Sequence, residues 1–271
     1  MTSTLLPTTS VTRELDCKDS PLRALLRPHQ PLLDQWRKTM IRSLSGKPWI
    51  RPARTHLAWM TGHAIDYRAR WWLTGVTELP DAVLAGLVHC GESTRSELLE
   101  AFTAIAGIRG GVLAEDLERA VCSVAVAAAS VEPLYRAGAV PCALADLGLA
   151  AFSAEYTDVI DDVVALSAGL HLLFADFAGH EIVTGPVVGI GRLGGDADLI
   201  AGSELVEIKC VVDPRASATR AVQQLLVYAA RLQPTAASLV LPRQHTRVVF
   251  DLGRHHFALE SLNIAIENEY G

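Results

Sequence analysis

The period of the hydrophobic pattern changes once, at Gly179, and that change limits the architectures open to the chain. Before it, apolar residues recur at helical spacing through residues 32–44, 57–73, 81–88, 93–106, 114–137 and 155–178. After it, residues 182–190, 196–200 and 205–211 read as strands bounded by glycines and turn residues. Helical spacing returns at 216–232, strand patterns follow at 237–241 and 247–252, and 257–269 reads as a closing helix. The order strand, strand, strand, helix, strand, strand predicts an α/β layered fold for the last third. The helices before it form a separate domain or a large insertion in the same one. Thr94 and Glu97 read as a capping box for the helix at 93–106. No internal repeat or low-complexity linker is present.

At 271 residues the chain can bury a substantial core without disulfides or metal staples. With 50% hydrophobic and 20% charged residues, general disorder is excluded. The run at 121–131 is too short and small-sided to span a bilayer, and the first ten residues lack a basic, then apolar, signal pattern. A cytoplasmic protein without membrane association is expected. The five cysteines are odd in number, scattered and without a C-x-x-C pair, which argues for free thiols over disulfides, zinc or an iron–sulfur site.

The net charge of -6 hides a strong polarity along the chain. Between residues 21 and 70 there are ten Lys or Arg against two acids, Asp34 and Asp66; residues 71–206 carry five basic side chains and nineteen acids. All five tryptophans, Trp36, Trp49, Trp59, Trp71 and Trp72, fall in or just beyond the basic segment. Basic groups neutralise phosphates and aromatic faces stack on unpaired bases, whereas the plainer account makes the tryptophans core and the arginines a solvated face.

The chemistry concentrates where the strands begin. Gly195 and Asp198 form G-x-x-D at the mouth of an apolar strand, and nine residues after Asp198 comes Glu207-Ile208-Lys209. Residues two apart on a strand share a face, so Glu207 and Lys209 lie together, and a hairpin would bring Asp198 beside them. Two converging carboxylates suit a hard divalent cation such as magnesium. An exposed hairpin carrying a Glu–Lys pair is the alternative. The apolar surroundings, from Leu205 to Val212, count against it, because burying Glu and Lys without partners is costly. On the next helix Gln224 and Tyr228 are four apart and share a face.

The series G-x-x-D, E-x-K, Q-x-x-x-Y over residues 195–228 resembles the PD-(D/E)XK nuclease superfamily and, within it, the RecB-like branch. The resemblance implies a restriction-endonuclease-like core, a mixed central sheet flanked by helices, with a large N-terminal or inserted helical region. It implies a metal-dependent nuclease that hydrolyses phosphodiester bonds of nucleic acid, DNA ahead of RNA, in repair, recombination or defence against foreign DNA. Mg2+ or Mn2+ would be held by Asp198 and Glu207, Lys209 would assist attack, and Gln224 and Tyr228 would position the strand or brace the site. The branch commonly opens with a helix bearing G-x-x-x-H. Here Gly62 to Asp66 has the spacing with Asp in place of His. Asp66 is therefore a further candidate metal ligand, or else pairs with Arg70 at i,i+4. Gly189 to Gly194 matches G-x-G-x-x-G but lies between strands and reads as a hairpin turn.

The expected organisation is a flexible N-terminus at 1–20, a mainly helical region at 21–178 that packs onto and partly belongs to the core, and an α/β nuclease core at 179–271. Acids at Asp158, Asp161 and Asp162, with His180 and Glu181, are further candidates to approach the site. The competing function is a catalytically silent nucleic-acid-binding or assembly subunit. Its partner, or a second copy of the chain, would cover the alanine-rich helices at 112–137 and 142–152.

Overall fold

The computed structural model describes residues 8–47, 49–137 and 142–271. The chain is a mixed α/β protein and divides into two compact units. One takes the described residues up to 47 with 179–209 and 213–271; the other takes the described part of 49–178 with 210–212.

The first unit opens with β1 (Thr9–Ser10), α1 (Val11–Asp16), α2 (Pro21–Leu26) and α3 (Gln30–Ser43). The Ser10 and Ser20 hydroxyls cap α1 and α2 by accepting from the backbone N–H of Arg13 and Arg23. Eight helices of the second unit follow: α4 (Ala58–Thr74), α5 (Asp81–Leu87), α6 (Glu92–Ile105), α7 (Glu115–Ala137), α8 (Ala143–Leu147), α9 (Leu149–Glu155), α10 (Thr157–Ser167) and α11 (Leu170–Leu173). The chain then returns to the first unit with β2 (Ile182–Thr184), β3 (Leu193–Gly194), β4 (Leu199–Ala201), β5 (Glu204–Ile208), α12 (Pro214–Leu232), β6 (Ala236–Leu241), β7 (Thr246–Asp251) and α13 (His256–Tyr270).

In the first unit, five strands form one mixed sheet in the order β2-β4-β5-β6-β7. β2, β4 and β5 are antiparallel neighbours, and β6 and β7 pair antiparallel. β5 and β6 are parallel, and α12 supplies the crossover that a parallel pair requires. Residues of α3, α12 and α13, including Leu33, Leu225, Leu226, Leu262 and Ile266, form one core with sheet residues such as Leu239 of β6. Each such side chain contributes about 1.5–3 kcal/mol by leaving water. Trp36 on α3 stacks on Phe250 of β7 with ring centroids 4.7 Å apart.

This core corrects the expected boundaries. Residues 1–7 lie outside the described ones, but residues 8–20 are not a loose tail: β1 pairs with β3, and Val11 and Leu15 are buried. Residues 21–47, the start of the helical region expected to belong in part to the core, lie in the sheet unit. The predicted strand at 182–190 stops at Thr184, because Gly185 turns the chain with φ 61°. The G-x-G-x-x-G segment is the hairpin turn expected of it. Ile190 and Leu193 bridge antiparallel, and at Gly191 (φ 51°) a Cβ would lie 2.1 Å from the Tyr270 carbonyl oxygen.

In the second unit α7 is central. Val121, Cys122 and Ala125 to Ala129 are fully buried, and the close approach of α5 leaves no room for a Cβ at Gly86, which would sit 2.5 Å from the Val131 carbonyl oxygen. Residues 121–131 of the expected partner-binding face are therefore internal, their small side chains letting neighbouring helices approach closely, while Val112, Leu117 and Tyr135 are exposed. The capping box is also corrected. Thr94 is buried inside α6, and Glu97 Oε2 instead accepts from the Leu149 N–H at 2.7 Å. The single helix predicted at 155–178 breaks at Gly169 into α10 and α11. Among the described residues no helix is long and apolar enough to cross a membrane.

Candidate active site

β4 and β5 form the hairpin that the spacing predicts, with Leu199 opposite Val206 and Ile200 opposite Leu205. Extending that register by one pair sets Asp198 opposite Glu207. Asp198 Oδ2 accepts from the Ile208 backbone N–H at 2.6 Å, which fixes the carboxylate against the next strand. β5 is an inner strand of the sheet, so Glu207 is only 1% exposed, and Lys209 Nζ donates to its Oε1 at 2.5 Å. The Lys209 N–H donates to the Val240 carbonyl at 2.8 Å, continuing the parallel ladder and holding the lysine backbone in place.

The crossover helix brings the third motif to the same place. Asp213 caps α12 by accepting from the N–H groups of Arg215 and Ala216, which sets the helix start. One face of the helix then carries Gln224 and Tyr228, both buried, with Gln224 Nε2 donating to the Tyr228 hydroxyl at 2.8 Å. Burial pushes the Tyr228 hydroxyl well above the ordinary phenol range. The Glu207 charge adds to this, the Gln224 bond opposes it, and the charges of Asp198 and Asp196 add further. Three carboxylates thus act on one phenol. At Gly195 of the G-x-x-D segment a Cβ would press on Val11 Cγ2 at 3.3 Å and meet Tyr228 Cε1 at an ordinary 3.8 Å. Helix α1 thereby backs the site.

Asp198, Glu207, Lys209, Gln224 and Tyr228 all belong to the sheet unit. Asp66 belongs to the helical unit, where Arg70 donates to it through Nε at 3.0 Å and Nη2 at 2.6 Å, the i,i+4 pair that the sequence offered as the alternative. Asp158 and Asp161 are bound by Arg54 and Arg119, and Asp162 accepts from the Thr61 hydroxyl at 3.4 Å. The tryptophans divide as well. Trp36 and Trp71 are buried, Trp72 packs near Phe174, and only Trp49 and Trp59 are exposed.

Two features escaped the sequence reading. Asp196, two residues before Asp198, acts on Tyr228, and its signal was the D-x-D spacing. In the helical unit Glu132 is buried and accepts from the Tyr67 hydroxyl and from His63 Nδ1, the latter at 3.0 Å. Its signal was a lone acid closing the apolar run at 124–131.

As donors, Asp198 and Glu207 are two carboxylates on adjacent strands, the number that magnesium takes from protein while keeping several waters. The set fits that ion chemically. Among the described residues no group of three or more His, Cys, Asp or Glu side chains is arranged to hold a metal. Comparison of the chain with protein-family models, with characterised proteins and with solved structures finds no match.

Proposed function

We propose that the chain is a metal-dependent nuclease of the PD-(D/E)XK type, hydrolysing phosphodiester bonds of DNA. The observation that carries this reading is the buried Glu207 on an inner strand, in contact with Lys209 and opposite Asp198, which is tied to the Ile208 N–H. A carboxylate kept at this depth beside a half-buried ammonium is costly to desolvate, and a hydrophobic pair would serve stability as well or better. Their retention favours a chemical role. The mixed sheet with a helical crossover between its parallel strands also supports the assignment to this core.

Asp198 and Glu207 would hold Mg2+ or Mn2+, which when bound lowers the pKa of a coordinated water and offsets charge on the phosphate. Lys209 presents a fixed positive charge beside that position. It stabilises negative charge developing on the phosphate oxygens and orients the attacking water by hydrogen bonding. Gln224 and Tyr228 brace the site from behind. Their mutual bond fixes both rotamers, and burial with the nearby carboxylate charges favours the protonated Tyr228 hydroxyl.

The second reading, a silent binding or assembly subunit, draws on one observation: Asp66, the candidate ligand of the first motif, is engaged by Arg70. Cleavage of single- and double-stranded DNA with Mg2+ or Mn2+ separates the two. The nuclease reading expects cleavage that Lys209→Ala and Asp198→Asn each reduce by about a hundredfold or more. Intact DNA binding with no cleavage of either substrate by the parent chain would overturn it.

A further inference from the structure

The sheet unit carries a second feature that the candidate site does not use. Residues 18–47 hold seven Lys or Arg against two acids in a chain whose net charge is -6. Two surface hollows lie on this segment. One, of about 140 Å³, is lined by Lys18, Arg23, Arg27 and Gln30, together with Gln223 of α12. The other, of about 600 Å³, is lined by Gln30, Gln35, Lys38, Thr39 and Arg42 of α3, with Asp34 between them. Gln30 borders both, so they form one strip. Its acid, Asp34, accepts from Gln30 Nε2 at 3.0 Å. None of Lys18, Arg23, Arg27, Lys38 and Arg42 has an acid within ion-pair distance among the described residues.

We infer that this strip is a docking track for the phosphodiester backbone of a nucleic-acid strand. Gln30, Asp34, Lys38 and Arg42 follow one another at i+4 along one face of α3, a run of about 18 Å. A strand in helical geometry presents one phosphate per about 3.4 Å, so the run spans about five phosphates, with Lys38 and Arg42 along it and Lys18, Arg23 and Arg27 extending the strip beyond its N-terminal end. The amides of Gln30, Gln35 and Gln223 and the hydroxyl of Thr39 supply further hydrogen bonds of the kind that position a backbone without reading bases. A single phosphate group would call for clustered rather than strung-out arginines. A lipid surface would call for exposed large apolar side chains beside the cations, and the strip lacks them. The inference stands apart from cleavage, since it needs neither Glu207 nor a metal.

The test is fluorescence anisotropy of labelled single-stranded and duplex DNA with the full chain in EDTA, across a range of salt concentrations. This reads binding alone and leaves the nuclease reading to its own assay. Arg23→Gln/Arg27→Gln/Lys38→Gln should weaken binding at least tenfold. It should also flatten the slope of log affinity against log salt by about 2–3, at about 0.7–0.9 per phosphate contact. Arg23→Lys/Arg27→Lys keeps the charge and should bind as the parent does, which rules out misfolding as the cause. Arg95→Gln/Arg109→Gln/Arg254→Gln removes the same charge from exposed positions elsewhere and should change the slope by much less. The inference is overturned by an unchanged slope in the strip variant, by an equal loss in the control variant, by absence of DNA binding in the parent chain, or by preference for anionic vesicles over DNA.

Discussion

Replacing Lys209 by Met should destabilise the sheet unit by an amount that can be worked from its contact with Glu207. The Glu207 side chain is 1% exposed and that of Lys209 22%. Breaking a buried ion pair by removing one partner costs about 3–5 kcal/mol, because the other charge stays buried. The share of Lys209 already in water discounts this to about 2–3 kcal/mol, roughly a 30- to 150-fold change in the folded-to-unfolded ratio. Urea unfolding followed by tryptophan fluorescence should show a midpoint lowered by about 1 M at constant slope. Hydrogen exchange should place the loss in β5, β6 and α12. The companion Glu207→Leu/Lys209→Met should recover most of the stability, since a well-packed apolar pair often matches a buried ionic one. A Lys209→Met chain within about 0.5 kcal/mol of the parent, or a double-mutant coupling below that value, would refute the claim that the two side chains interact as a buried pair.

Other outcomes follow from the same contacts. Asp198→Asn retains an oxygen that accepts from the Ile208 N–H, so its stability should stay within about 1 kcal/mol of the parent while cleavage falls by about a hundredfold or more, as thermal unfolding and nuclease assays on one preparation would show. Because the Tyr228 pKa is raised in the folded state, that group's contribution is fully present below about pH 10, the unfolded tyrosine value, and is lost as pH rises through the folded value. Tyr228→Phe should therefore shift alkaline unfolding upward in pH, measured by circular dichroism. In the helical unit, burial pushes the Glu118 carboxyl up, but the hydrogen bonds and charge of Arg68 outweigh it and hold the carboxyl below its usual range. Its contribution is present above about pH 4.3 and lost as pH falls through the lower folded value. Glu118→Gln should cost about 3 kcal/mol at pH 7 by leaving Arg68 buried, and its deficit should shrink below pH 4 in acid-unfolding curves.

The hairpin of the candidate site was legible because two local rules agree there. Strand alternation put Glu207 and Lys209 on one side, and the nine-residue spacing closed Asp198 onto them. Helix spacing alone placed Gln224 beside Tyr228. What escaped depends on distant partners. Nothing local marks Val11 or Trp36 as belonging with strands nearly two hundred residues later, and the segments look like any short amphipathic helices. The role of Asp66 turned on which of two partners it met. Breaks at Gly148 and Gly169 fell inside patterns that stay periodic across them, and the strand after Ile182 ended where a glycine took positive φ. The tryptophans show the limit of composition: their clustering suggested one surface, and four of the five pack internally or against other aromatic rings.

The split of the sheet unit across the sequence also has a consequence for how the chain is made. Helices α1–α3 leave the ribosome before the rest of the sheet unit, and the strands and helices that cover Leu22, Leu26, Leu33, Trp36 and Met40 are synthesised more than a hundred residues later. At about 5–20 residues per second, these side chains stay uncovered for about ten seconds or more while the helical unit emerges. A nascent chain in that interval presents a short amphipathic segment whose apolar face has no partner. Lys38 and Arg42 on α3 are exposed, so the segment carries charge as well as apolar side chains during that interval.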